Sequence, residues 1–71
     1  MSAHSRLLTA KRVLVTTTNG TALTGVVYST KGRFLILKGA AIPAGDGEPI
    51  GLDGDVVVEL DRVDFIQVLA P

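Results

Sequence analysis

Apolar and polar positions alternate along much of this chain, and the alternation predicts strands. Lys11 to Thr18 is rich in β-branched residues and reads as a first strand. Asn19-Gly20 follows, a two-residue hairpin signal, because a type I′ turn needs positive φ at both central positions. A second strand is predicted from Thr21 to about Ser29, with Leu23, Gly25 and Val27 on one face by period two. Gly25 weakens that strand unless the backbone bends sharply there or approaches another strand, and small barrels need such bends. Lys31-Gly32 is the next turn. Arg33 to Lys38 is the third strand, apolar without interruption at Phe34, Leu35, Ile36 and Leu37.

Residues 39–53 hold Pro43 and Pro49 with Gly39, Gly45, Gly47 and Gly51, and read as a long loop. Ala40 to Ile42 is an optional extension of the third strand. A fourth strand runs from Asp55 to Leu60, with Val56, Val58 and Leu60 on one face and Val57 on the other. Asp61-Arg62 makes a tight turn of 3₁₀ type. In the fifth strand, Val63 to Leu69, Ile66 and Val68 share a face, while Phe65 and Leu69 lie opposite. Apolar residues on both faces of the terminal strands fit pairing with a second subunit; a deeper core against the N-terminal segment is the alternative. Upstream, Ser2 to Leu8 reads as a short helix with Ser2 as N-cap and Leu7 and Leu8 inward, or else as a frayed end. So short a helix holds only if it docks on the domain.

The expected architecture is a single all-β domain over residues 1–71, with a helical segment at 1–9 and the long loop at 39–53. Five short strands favour a strongly bent small barrel over an open sheet, because closure hides edges that would otherwise aggregate.

Composition sharpens this. A 71-residue chain has a marginal core, and domains of that size gain stability from disulfides, metals or oligomers. There is no cysteine and one histidine, which removes disulfides and cysteine- or histidine-rich metal sites. Oligomerisation is the remaining route, and the 46% hydrophobic content agrees with it. No apolar run approaches the ~18 residues of a membrane span, and Met1 to Ala10 lacks the apolar block of a signal peptide. A soluble, cytoplasmic protein without membrane contact is expected.

Net charge is zero, but the charges are segregated. Arg6, Lys11, Arg12, Lys31, Arg33 and Lys38 precede residue 40, and only Arg62 follows it. All seven acids, Asp46, Glu48, Asp53, Asp55, Glu59, Asp61 and Asp64, lie beyond it. Either folding interleaves the two halves, or a basic face stands opposite an acidic one and attracts a polyanion to one side.

With the elements in this order, the chain resembles the Sm-like family, which includes LSm proteins and bacterial Hfq, over residues 3–69. Gly20, Leu23, Gly25 and Val27 match the first Sm motif; Val56 to Val63, with its hydrophobic strand, polar turn and opening Val63, matches the second. The resemblance implies a toroid of six or seven copies in which the fourth strand of one subunit pairs with the fifth of the next. It also implies RNA bases bound near the pore by the turn after the second strand and the turn before the fifth. The chain departs from the family at those two places. Lys31-Gly32-Arg33-Phe34-Leu35 keeps only the aromatic residue of the first, and Glu59-Leu60 replaces the Arg-Gly of the second. Asp61-Arg62 has no counterpart of the Tyr-Lys-His turn of Hfq.

Candidate nucleic-acid-binding residues follow: Arg6, Lys11 and Arg12 as a polyanion surface, and Lys31, Arg33, Phe34 and Arg62 around the pore. Phosphate contacts need only positive charge and donors, and Phe34 and Tyr28 offer stacking surfaces. Ion pairing of Lys31, Arg33 and Arg62 with Asp61 and Asp64, and core or interface packing of the aromatics, are the alternatives. Candidate subunit-interface residues are Val57, Val58, Phe65, Ile66 and Leu69. The acids of residues 46–55 match no calcium-loop register, and no nucleophile–base pair can be assembled with His4 alone. Neither metal nor cofactor nor enzymatic activity is expected. The function read from the sequence is a ring-forming, non-enzymatic protein binding RNA or another nucleic acid through a basic surface. The alternative is a structural or protein-interaction module, for example of a phage or mobile element, using the same oligomeric barrel without nucleic acid.

Overall fold

Three hairpins and one bend account for the architecture. In the computed structural model, which describes residues 7–69, the strands are β1 (Arg12–Thr17), β2 (Ala22–Lys31), β3 (Phe34–Ile42), β4 (Ile50–Gly51), β5 (Val56–Glu59) and β6 (Val63–Val68). A single 3₁₀ turn, Leu60–Arg62, joins β5 to β6, as its sequence predicts. All pairings are antiparallel, in the order β4-β3-β2-β1-β6, with β5 on the other half of β3. The expected helix falls largely on residues 1–6, outside the described residues; Leu7 and Leu8 are helical, and the chain then turns through Ala10 at φ +66°.

The first turn is a three-residue loop. Gly20 donates to the Thr17 carbonyl at 2.9 Å, and Thr17 donates to Thr21 at 2.9 Å. Gly20 has φ +90°, whereas Asn19 has negative φ, so the type I′ expectation is corrected. A turn closed by one left-handed glycine fits the twist of the strands equally well. The Thr17 hydroxyl and the Asn19 side chain both accept from the Thr21 amide, at 3.1 and 3.3 Å, which stiffens the tip.

Residues 39–53 are not one loop. Ala41 and Ile42 extend β3 and pair with Gly51 and Ile50, so β4 makes six strands where five are expected, and the irregular span shrinks to 43–49. Two prolines at its ends keep the extra hairpin short.

β2 is sharply bent. Its ten residues would run about 33 Å if straight, yet the loops before and after it both bond to the same three-residue turn. The Thr18 amide, in the loop that leads from β1 into β2, donates to the Arg62 carbonyl at 2.8 Å; the Leu60 amide donates to the carbonyl of Arg33, in the loop that leaves β2, also at 2.8 Å. Three residues of 3₁₀ helix rise only about 6 Å. The bend is taken up at register shifts against β3 between Thr24 and Val26 and between Val27 and Ser29. Gly25 sits at the first of them, where an added Cβ would stand 3.3 Å from both the Leu37 Cβ and the Lys38 carbonyl.

Inside the curve, Val13, Val15, Leu23, Val27, Leu35, Leu37, Ala40 and Val58 form the core, with Leu8, Ile42, Leu52, Val56, Leu60, Val63 and Ile66 packed against it. The strand parity read from Leu23, Gly25 and Val27 is correct: all three are buried.

The barrel does not close on itself. β5 pairs with β3 and β6 pairs with β1, and among the described residues no ladder joins β5 to β6. Two consecutive strands therefore each leave one edge unpaired, which corrects the expectation that closure removes the edges.

Candidate functional site

The Leu60–Arg62 turn is the meeting point of the molecule. Its two backbone bonds hold the tip of the β1–β2 hairpin on one side and the Gly32-Arg33 loop between β2 and β3 on the other. Arg33, and Phe34 next to it, are thereby brought to the Leu60 end of the turn, two residues along the chain from Arg62. Lys31 joins them as the hairpin partner of Phe34. Lys31, Arg33 and Arg62 are all exposed, and among the described residues no carboxylate lies within 4.0 Å of any of them. The Arg33 guanidinium lies over the Phe34 ring, 5.7 Å from its centroid, close enough for a cation–π contact. Phe34 is 38% exposed, so the ring is accessible.

Opposite Phe34 in the β3–β5 ladder stands Glu59. Directly opposed residues of an antiparallel pair project to the same face with Cβ atoms about 5 Å apart. An exposed carboxylate thus shares a sheet face with an exposed ring at the edge of a cationic cluster. Nothing in the sequence pairs these two, because β3 and β5 are separated by the residues of an irregular span and a two-residue strand. The pairing emerges only from the β3–β5 register. Beside this cluster, between the hairpin tip and the open edge of β5, lies a cleft of about 510 Å³ lined by Thr17, Asn19, Leu23, Val57, Glu59 and Arg62, among others.

The other basic candidates lie elsewhere. Lys11 and Arg12 are exposed at the start of β1, five residues and roughly 17 Å of strand from Thr17 and the turn. Arg12 opposes Val26, which opposes Lys38, so these three make a row across the outer face. Lys38 adds a cation beyond the sequence candidates. It lies over the Tyr28 ring at 4.5 Å from the centroid and pairs with Asp55 at 3.6 Å, the one ion pair among the described residues. Tyr28 is itself well exposed on β2. Arg6 lies outside the described residues. The folded chain therefore has two separate basic regions.

The interface candidates divide by strand parity. Val57 opposes Ile36 and faces outward, 58% exposed; Phe65 opposes Thr16 on the outer face of β6, 54% exposed. Both flank the unpaired edges. Val58 is a correction: its side chain belongs to the subunit's own core, 8% exposed beside Leu35, its cross-strand partner. Ile66 likewise packs against that core, and Leu69 is half-buried. Val68, 49% exposed at the end of β6, is a further exposed apolar residue on that strand, beyond the five interface candidates.

Among the described residues no group of three or more His, Asp or Glu side chains is placed to hold a metal ion. No helix of the described residues is long and apolar enough to cross a membrane.

No protein-family model and no curated protein sequence matches the chain. Solved structures do match. One is a heptameric archaeal Sm protein, described for its implications for the eukaryotic snRNP core. It superposes with a TM-score of 0.80 at 26% identity over 97% of this chain and 100% of that one. Another is the SmAP1 heptamer of P. aerophilum, with a TM-score of 0.78 at 25% identity over 93% of this chain and 88% of that one.

Proposed function

We propose that this chain, a divergent member of the Sm-like fold family, assembles into a ring by pairing β5 of one copy with β6 of the next. In this reading the ring binds single-stranded nucleic acid through the cluster at the Leu60–Arg62 turn. It is not an enzyme, in keeping with the family.

The observation that carries this reading is the Leu60–Arg62 turn, bonded to both hairpin ends. It leaves the strands on its two sides with open edges, bonds the Arg33 backbone at its Leu60 end, with Phe34 next in the chain and Lys31 opposite Phe34, and carries Arg62 at its other end. An unpaired edge is a template for another strand. The exposed Val57 and Phe65 lie on outward faces, so a β5–β6 ladder between copies would set them on one continuous surface. The two Sm structures described above are heptamers, which supports a closed ring of this type. Three cations with no carboxylate partner among the described residues, and an accessible ring, supply the two requirements of sequence-tolerant single-strand binding, phosphate neutralisation and base stacking. Repetition around a ring multiplies a weak site by avidity.

Native mass spectrometry at low salt on gently purified protein tests both halves. A closed ring carrying RNA is the expected result. A ring free of nucleic acid, which also shifts no added oligonucleotide, would favour the interaction module, a reading supported by the zero net charge. A bare monomer would defeat the ring.

A further inference from the structure

The geometry points to a guanine-reading site, formed by Phe34 as stacking platform and Glu59 as base-edge acceptor; this inference rests on the nucleic-acid reading above. A carboxylate beside a phosphate-binding cluster is electrostatically unfavourable unless it meets donors on the ligand. Glu59 is exposed, has no ion-pair partner among the described residues, and opposes Phe34 on one face of the sheet. Opposed in this way, the two side chains leave the same face with Cβ atoms about 5 Å apart, so one base can lie on the ring with its edge toward the carboxylate.

An ionised carboxylate only accepts hydrogen bonds, and it does so through two oxygens. Guanine presents two adjacent donors, N1–H and the N2 amino group, which a carboxylate meets in a bidentate, charge-assisted pair. Adenine and cytosine each offer one amino donor with a ring acceptor beside it. Uracil offers a single N3–H flanked by two carbonyl oxygens that repel the carboxylate. Unstacked bases of single-stranded RNA are read in this way, by stacking on an aromatic ring and hydrogen bonding along the Watson–Crick edge. The incoming base displaces the Arg33 guanidinium from the Phe34 ring, and Arg33, held only by that contact, is free to meet the adjoining phosphate. The backbone bond from Leu60 to Arg33 keeps platform and acceptor in register while the side chain moves.

The test uses the full chain and fluorescein-labelled 11-mers of uridine carrying one central G, A, C, U or inosine, read by fluorescence anisotropy at low salt. A single G avoids quadruplexes. The G oligomer should bind about tenfold tighter than all-U, the scale of one bidentate base contact. Inosine, lacking the N2 amino group, should fall between them. Glu59→Gln should erase the preference for G while tightening all-U, because a repulsive charge is removed. If all-U binds as well as the G oligomer, or A or C matches G, the guanine site is wrong and the nucleic-acid reading stands. If no oligomer binds, both are wrong.

Discussion

The amide of Thr18 donates to the carbonyl of Arg62 at 2.8 Å, and this bond ties the tip of the first hairpin to the turn that carries the candidate site. Its donor is positioned by a three-residue loop that depends on Gly20 at φ +90°. An L side chain there pays the left-handed backbone penalty of about 1–2 kcal/mol. Gly20→Ala should therefore lower stability by about that amount, read as a reduced urea midpoint with an unchanged slope. Open space surrounds the position, so no steric clash adds to the effect. A larger loss, or none, would mean that the tip conformation is not what fixes the turn.

Gly25 acts by a different cause, close approach rather than dihedral angle. An added Cβ would sit 3.3 Å from the Leu37 Cβ and the Lys38 carbonyl and 3.4 Å from the Ala40 Cα. Two of these three neighbours are backbone atoms of β3, which cannot step aside. Gly25→Val should cost about 1–3 kcal/mol, the range for overpacking a fitted interior. Thermal unfolding by circular dichroism measures it, and a wild-type midpoint would show that β2 and β3 do not approach so closely in solution.

Parity along β5 separates assembly from folding. Val57 faces outward at an open edge, whereas Val58, one residue on, is in the core. Val57→Lys should leave a folded chain that no longer forms the native oligomer. Val58→Lys should unfold it, because a buried ammonium without a partner is costly. Sizing by light scattering beside circular dichroism distinguishes the two. Oligomers of native mass in the Val57 variant would move the subunit boundary off this edge.

Local periodicity made the core legible. Leu23, Gly25 and Val27 mark one face by their spacing, and the 3₁₀ turn follows from two polar residues between apolar runs. Long-range register was not legible. The pairing of β5 with β3 sets Glu59 against Phe34, and no turn between them fixes it, because the intervening chain includes an irregular span with prolines at both ends. For the same reason the inward side of β5 is hidden in the sequence: alternation shows that Val57 and Val58 face opposite ways, but only the partner strand shows that Val58 is the inward one. Ile50 and Gly51 were hidden as a strand because two residues carry no period. The open edges of β5 and β6 follow from the bend of β2, which depends on register shifts that no local pattern encodes.

The Lys38–Asp55 pair should contribute little to stability despite being the one ion pair among the described residues. Both side chains are 51% exposed at 3.6 Å. Exposed pairs of this kind contribute about 0–1 kcal/mol, less in salt. Asp55→Asn should shift the unfolding midpoint only slightly. A loss well above 1 kcal/mol would show that Asp55 holds the chain entering β5 by something other than charge.

The cationic cluster leads to a prediction about salt. Lys31, Arg33 and Arg62 have no carboxylate partner among the described residues, so each is available to neutralise a phosphate. Binding of a single strand then releases counterions, and log K falls linearly with log salt at about −0.7 per contacted phosphate. Arg62→Ala and Lys31→Ala should weaken binding of every oligonucleotide by a similar factor, and each should flatten that slope by roughly one contact. Lys11→Ala, in the separate region at the start of β1, should leave the slope unchanged if the strand is confined to the Leu60–Arg62 turn. Anisotropy titrations at several salt concentrations decide between the regions. A slope that responds to Lys11 but not to Arg62 would place the polyanion on the Arg12–Val26–Lys38 row and leave the turn as a structural clasp alone.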